Sequence, residues 1–178
     1  GSIVCPGFID SHSHTDWSIH ANPTAQSTIR QGVTTDIVGN CGHSNAPVTD
    51  ISRDAMNVRL RTYAYEGDAT WNSFREYVDI IVDEGMSCNL AFFVGHNTLR
   101  QAAGVSGPDV TEAQMQTMEA LLRESVESGA LGLSTGLEFE PGRMASIDEI
   151  IRLNKVVGEY DGYYTSHIRN RAVHLQAA

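Results

Sequence analysis

Pro6-Gly7-Phe8-Ile9-Asp10-Ser11-His12-Ser13-His14 joins a short apolar run to two histidines set two residues apart. A strand turns alternate side chains to one face, so a strand reaching His14 aims both imidazoles the same way, from its carboxyl end. Neutral imidazole is a common zinc ligand, and two on one face form half of a tetrahedral site. The same pattern also describes a polar strand end whose histidines sit in solvent, so the rest of the chain has to decide.

Downstream, strand-like and helix-like stretches alternate. Asn22-Pro23 reads as a cap and first helical position, opening a helix to about Arg30 that Gly32 stops. Val33–Val38 is β-branched and strand-like. A long connection follows, from Gly39 to about Thr70, of a length usually functional or mobile; a lid over the site is one expectation. Trp71, Phe74, Val78, Ile81 and Val82 recur at helical spacing up to Gly85. Cys88–Val94 is a third apolar run. Thr111 with Gln114, and Ser146 with Glu149, are capping-box pairs, each starting a helix. Ala130–Ser134 reads as a fourth strand and Gly162–His167 as a fifth, and a last helix is expected from near Asn170.

Strands alternating with helices predict βαβ units on a parallel sheet. No Gly-rich phosphate loop follows the first strand, which disfavours a nucleotide-binding doubly wound sheet. The fold class is therefore α/β, a partial (β/α)8 TIM barrel comprising about the first five strands. A whole barrel takes about 250 residues, against 178 here, so the rest of the barrel is needed to complete it. An open barrel leaves strand edges unpaired, and association through them is expected.

Composition narrows the function. A net charge of −10 disfavours nucleic acid, whose phosphates need clustered Lys and Arg. No apolar run spans a membrane, and no signal peptide is visible. Three widely spaced cysteines, Cys5, Cys41 and Cys88, fit a reducing cytoplasm better than a disulfide framework.

Barrel sites lie at the carboxyl ends of strands. His12 and His14 follow the first predicted strand, Cys41 the second, and His96 the third, while His167 ends the fifth. A thiolate suits zinc, so Cys41 reads as a ligand or else as a small buried apolar side chain. His167 reads as a ligand by the same rule. His96 either supports a ligand or touches substrate, or is a hydrogen-bonded turn histidine. Asp10, at the same strand parity as His12, either orients a ligand histidine or is a buried, hydrogen-bonded acid. Cys5 and Cys88 read as packing residues, and His20, His43 and His174 as solvated. Ser134-Thr135-Gly136-Leu137-Glu138 reads as ordinary loop chemistry.

These segments together resemble the amidohydrolase superfamily, and within it the N-acyl-D-amino-acid deacylases (D-aminoacylases). The resemblance is carried by PGFIDSHSH (6–14), QGVTTDIVGNCGHSNAP (31–47), NLAFFVGHNTLR (89–100), ESGALGLSTGLEFEPG (127–142) and YYTSHIR (163–169). It implies that residues 1–178 are the N-terminal part of a catalytic barrel, without the later strands or the small β-sandwich domain. It implies one or two Zn²⁺ ions held by His12, His14, Cys41 and His167, with Asp10, His96 and Arg169 behind the ligands or against substrate. The implied reaction is hydrolysis of an N-acylated D-amino acid to a carboxylate and a free D-amino acid. Its general base, an aspartate, and a further histidine are implied downstream, so this length alone is expected to be inactive. Relatives such as hydantoinases and dihydroorotases need a lysine on the fourth strand. The only lysine here, Lys155, falls in a predicted helix, in keeping with a cysteine ligand instead. The remaining alternatives are another amide hydrolase of that superfamily and an inactive metal-binding remnant. Arg171 stands where similar proteins usually carry an acid.

Overall fold

The computed structural model describes residues 1–172, 174 and 175. Its strands are β1 (Phe8–Asp10), β2 (Val33–Val38), β3 (Asn89–Phe92), β4 (Val94–Gly95), β5 (Gly132–Gly136) and β6 (Tyr163–His167). Every pairing is parallel and sequential, β1-β2-β3 and then β4-β5-β6. One residue, Phe93, separates β3 from β4. Its N–H donates to the Val38 carbonyl at 2.8 Å, and Leu131 N–H donates to the Phe92 carbonyl at 2.7 Å. Residues 89–95 thus act as one strand that pairs with β2 and then with β5. The result is the curved, stepwise sheet of a barrel's first five strands, as the alternation of elements predicted.

The helices are α1 (Gln26–Ile29), α2 (Arg53–Thr62), α3 (Phe74–Glu84), α4 (His96–Ala102), α5 (Glu112–Glu127) and α6 (Ile147–Gly158). Trp71, Phe74, Tyr77 and Ile81 around α3, Met115, Met118 and Leu122 of α5, and Leu153, Val156 and Val157 of α6 bury against Val38, Phe92, Val94 and Leu133 of the strands. The outer strands stay open: Phe8 is 59 % and Tyr163 67 % exposed.

Several expectations need correction. The helix expected from Asn22 shrinks to Gln26–Ile29. The Asn22 side-chain oxygen accepts from the Thr24 hydroxyl at 2.8 Å rather than capping backbone amides, and Ala25 adopts φ 40°, outside the helical range. The fourth strand lies two residues later than expected. The connection after β2 is not structureless, because it contains α2 and is pinned along its length. Trp71 Nε1 donates to the Asn45 carbonyl at 2.7 Å and Thr49 Oγ1 to the Ala102 carbonyl at 2.8 Å; Ala46, Val48, Met56 and Leu60 are buried. That is the anchoring of a wall, not of a lid. Helix α4 was not foreseen because it inverts the usual pattern: His96, Asn97, Thr98 and Arg100 are all buried. The helix expected near Asn170 runs into residues outside those described.

Candidate metal centre

Strand β1 ends at Asp10, so His12 and His14 sit in the turn beyond it rather than on the strand. Ser13 N–H still donates to the Ile37 carbonyl at 2.9 Å, so the ladder with β2 carries this turn alongside the end of β2. Asp10 Oδ1 accepts the His12 backbone N–H at 3.0 Å. Asp10 is exposed rather than buried, and its carboxylate shapes the turn by holding the His12 backbone.

Cys41 arrives from the neighbouring strand end. Its backbone has φ 54°, and the loop around it is held from both sides. The Asn40 amide donates to the Ile37 carbonyl at 2.8 Å and to the Ser13 carbonyl at 3.3 Å, linking the cysteine loop to the histidine turn. On the other side Ser134 Oγ donates to the Gly39 carbonyl at 2.5 Å and accepts the Gly42 N–H at 3.1 Å. Gly136 lets this happen: a Cβ there would stand 1.9 Å from the Cys41 carbonyl oxygen. Gly42 takes φ +78°, which a side chain would resist.

The outcome is convergence. Donor atoms of His12, His14 and Cys41 all lie within 4.8 Å of one another. His12 Nε2 is 3.2 Å from Cys41 Sγ, and the two imidazole centroids are 5.6 Å apart. Burial, reinforced by the nearby His12, holds the His14 pKa below its ordinary value. Its Nδ1 is buried with no hydrogen-bond partner among the described residues. Burial pushes the Cys41 thiol up, opposed by the positive charge of Arg171.

His167 is not in this trio. Its Nε2 lies 2.7 Å from Glu138 Oε2, and its ring packs edge-on against Phe139 at 4.6 Å. Arg169 spans to the turn after β5, donating to the carbonyls of Arg143 and of Ala145, the latter at 2.5 Å; it braces backbone and touches none of the trio. His96 lies away from the trio as well. Fully buried, it meets Glu149 Oε1 at 2.7 Å, and the same carboxylate takes Arg100 Nη1 at 2.8 and 2.6 Å. Of the readings open to His96, the structure supports a hydrogen-bonded structural role.

Three cysteine and histidine expectations also change. Cys5 is exposed, whereas Cys88 is buried as expected. His20 is enclosed rather than solvated, stacked on Trp71 at 5.4 Å with Nδ1 2.8 Å from Glu84. His43 is largely buried beside the trio, in contact with Arg59 at 3.3 Å and Asn97 at 3.1 Å. Burial, with Arg59 and His14 nearby, brings its pKa down to about 4. Asp16 is buried next to this group, and burial raises its carboxyl to about 7 against the pull of Arg59. Trp17 packs on His14 at 4.5 Å. Residues Asn40, Ser134 and Gly136 were missed as positioning groups; the one available signal was the run of small and polar residues after each strand.

A parallel sheet carrying two histidines and a cysteine at neighbouring carboxyl ends defines a barrel of the metal-hydrolase kind. Residues 1–164 match the Amidohydrolase family, and the chain belongs to it. It is 35 % identical over 182 residues to the D-aminoacylase of Alcaligenes xylosoxydans xylosoxydans, covering 100 % of this chain and 36 % of that protein. It is 36 % identical over 180 residues to the N-acyl-D-glutamate deacylase of the same organism, again spanning 36 % of its length. Among solved structures, the N-acyl-D-glutamate deacylase of Bordetella bronchiseptica, complexed with zinc and a phosphonate mimic of the tetrahedral intermediate, superposes with TM-score 0.83 at 36 % identity. That match covers 97 % of this chain and 36 % of the other. A D-aminoacylase with a binuclear metal centre gives TM-score 0.82 at 34 % identity, with the same coverage. The chain thus spans just over a third of the length of these relatives.

Proposed function

We propose that this chain is the metal-binding first part of a zinc-dependent hydrolase that cleaves N-acyl-D-amino acids to a carboxylate and a free D-amino acid. The observation that carries this reading is the convergence of His12, His14 and Cys41 within 4.8 Å. The donor set fits Zn²⁺: one soft sulfur, two imidazoles, and a buried His14 nitrogen without a partner among the described residues. His12, His14 and Cys41 would hold the ion, and His167 would join them. A bound ion supplies Lewis acidity toward an amide carbonyl and a water whose pKa falls to about 7.

The chain's own residues supply position. Ser134 and Asn40 fix the Cys41 loop, and the ladder from Ser13 to Ile37 fixes the histidine turn. Trp17 packs on His14, and His43 meets both Trp17 and Phe139, which sets aromatic surface beside the site. The proton acceptor is assigned to the part of the relatives' length that this chain does not span. Three free cysteines support a reducing, cytoplasmic setting. No helix of the described residues is long and apolar enough to cross a membrane, and the substrate is taken to be a small molecule, with no nucleic acid or membrane partner.

Metal analysis of the purified 178-residue chain tests the site. Zinc should be retained, and Cys41→Ala with His12→Ala should abolish retention. A longer protein carrying this chain should hydrolyse N-acetyl-D-methionine in preference to the L form, and the chain alone should not. Zinc-independent turnover would refute the reading.

A further inference from the structure

Glu138 lies in the turn after β5, in a segment first read as ordinary loop. The parallel register sets Gly136 opposite His167, and Leu137 N–H donates to the His167 carbonyl at 2.8 Å. That pairing carries the next side chain, Glu138, to the His167 ring. Glu138 Oε2 lies 2.7 Å from His167 Nε2 and accepts from Arg171 Nη2 at 3.1 Å. Phe139 presses on the same ring from its edge side. The ring is 12 % exposed, so its orientation is set by these neighbours.

We infer that Glu138 is a positioning residue for His167: it holds the Nε2 proton and so leaves Nδ1 as the free lone pair, the one that would be available to a metal, and Arg171 holds Glu138 in place. A carboxylate acts only as an acceptor at neutral pH, so a hydrogen bond to it requires that the ring nitrogen facing it carry the proton. The other nitrogen is then the free donor, and carboxylate partners of this kind fix the tautomer and raise the basicity of a ligand histidine. Arg171 sets a cation beside this partly exposed carboxylate. This gives the residue that departs from the resembling proteins a task in this chain. The inference rests on the zinc reading above for its consequence, but the tautomer it assigns exists without metal.

Two readouts on the whole chain test it. Long-range ¹H–¹⁵N correlation on the metal-free protein should show His167 as the Nε2–H tautomer, with the bias lost in Glu138→Ala and partly kept in Glu138→Gln. Zinc titration should show Glu138→Ala binding tenfold to a hundredfold more weakly, with no further loss when it is added to His167→Ala. Arg171→Ala leaves both partners in place and should weaken zinc a fewfold. If His167→Ala does not fold, the tautomer and the Arg171→Ala titration still decide. An Nδ1–H tautomer in the wild type, or an undiminished Glu138→Ala effect in the His167→Ala background, would overturn the assignment. A chain that binds no zinc even with all its ligands intact would sink the metal reading, while the tautomer would still report on Glu138.

Discussion

Replacing Glu149 should be among the most damaging single changes that leave the metal trio untouched. Its carboxylate is the only acid within hydrogen-bond reach of two fully buried bases among the described residues, His96 at 2.7 Å and Arg100 at 2.6 Å. Burial alone would raise its pKa, but the hydrogen bond and charge of His96 together with the charge of Arg100 bring it below the ordinary carboxylate value. In Glu149→Ala the Arg100 guanidinium keeps the Gly107 carbonyl and loses its counter-charge. Removing one partner of a buried ion pair typically costs about 3–5 kcal/mol, a large share of the 5–15 kcal/mol a domain has. The α4–α6 contact would fail with it, because Glu149 ties the start of α4 to the first turn of α6 while Ser146 caps that turn. Urea unfolding of Glu149→Ala, Glu149→Gln and wild type at pH 7 measures this, with Gln expected to lose less than Ala. A depressed carboxylate pKa contributes stability above its unfolded value and loses it as pH falls through the folded value. The gap between Glu149→Gln and wild type should therefore persist at pH 7 and close in acid below the ordinary range near 4.5. A loss below about 1 kcal/mol for Glu149→Ala would refute the argument.

Gly136→Ala should displace the Cys41 loop, since the new methyl would meet the Cys41 carbonyl oxygen at 1.9 Å; zinc titration should show affinity falling more than tenfold while far-UV circular dichroism changes little. The open strand edges at Phe8, Ile9 and Tyr163 should drive the isolated chain to associate, which sizing chromatography over a concentration series reads directly, and a monomer at every concentration would count against it.

The sequence carried the barrel because the barrel is a local pattern repeated: short apolar strands, amphipathic helices and capping residues recur in order. Thr111 and Gln114 form the reciprocal cap their spacing announced. Ser146 caps as expected, but Glu149 turns away to His96 and Arg100, a choice made by tertiary contacts that no local spacing encodes. Helix α4 escaped for the same reason, since its inward face is polar and its partners, on α6, the Cys41 segment and the Gly107 carbonyl, all lie outside the helix. His12, His14 and Cys41 were legible because strand ends of a parallel sheet share one rim. Ser134, Asn40 and Glu138 were not, because each acts across strands on backbone or on another side chain, and a serine or glutamate in a turn looks the same whether it does so or faces water.

X-ray absorption at the zinc edge of the metal-loaded chain tests the central claim most directly. One sulfur at about 2.3 Å and imidazole nitrogens at about 2.0–2.1 Å are expected, with the sulfur lost in Cys41→Ser. A shell of oxygen and nitrogen alone, unchanged by Cys41→Ser, would contradict it.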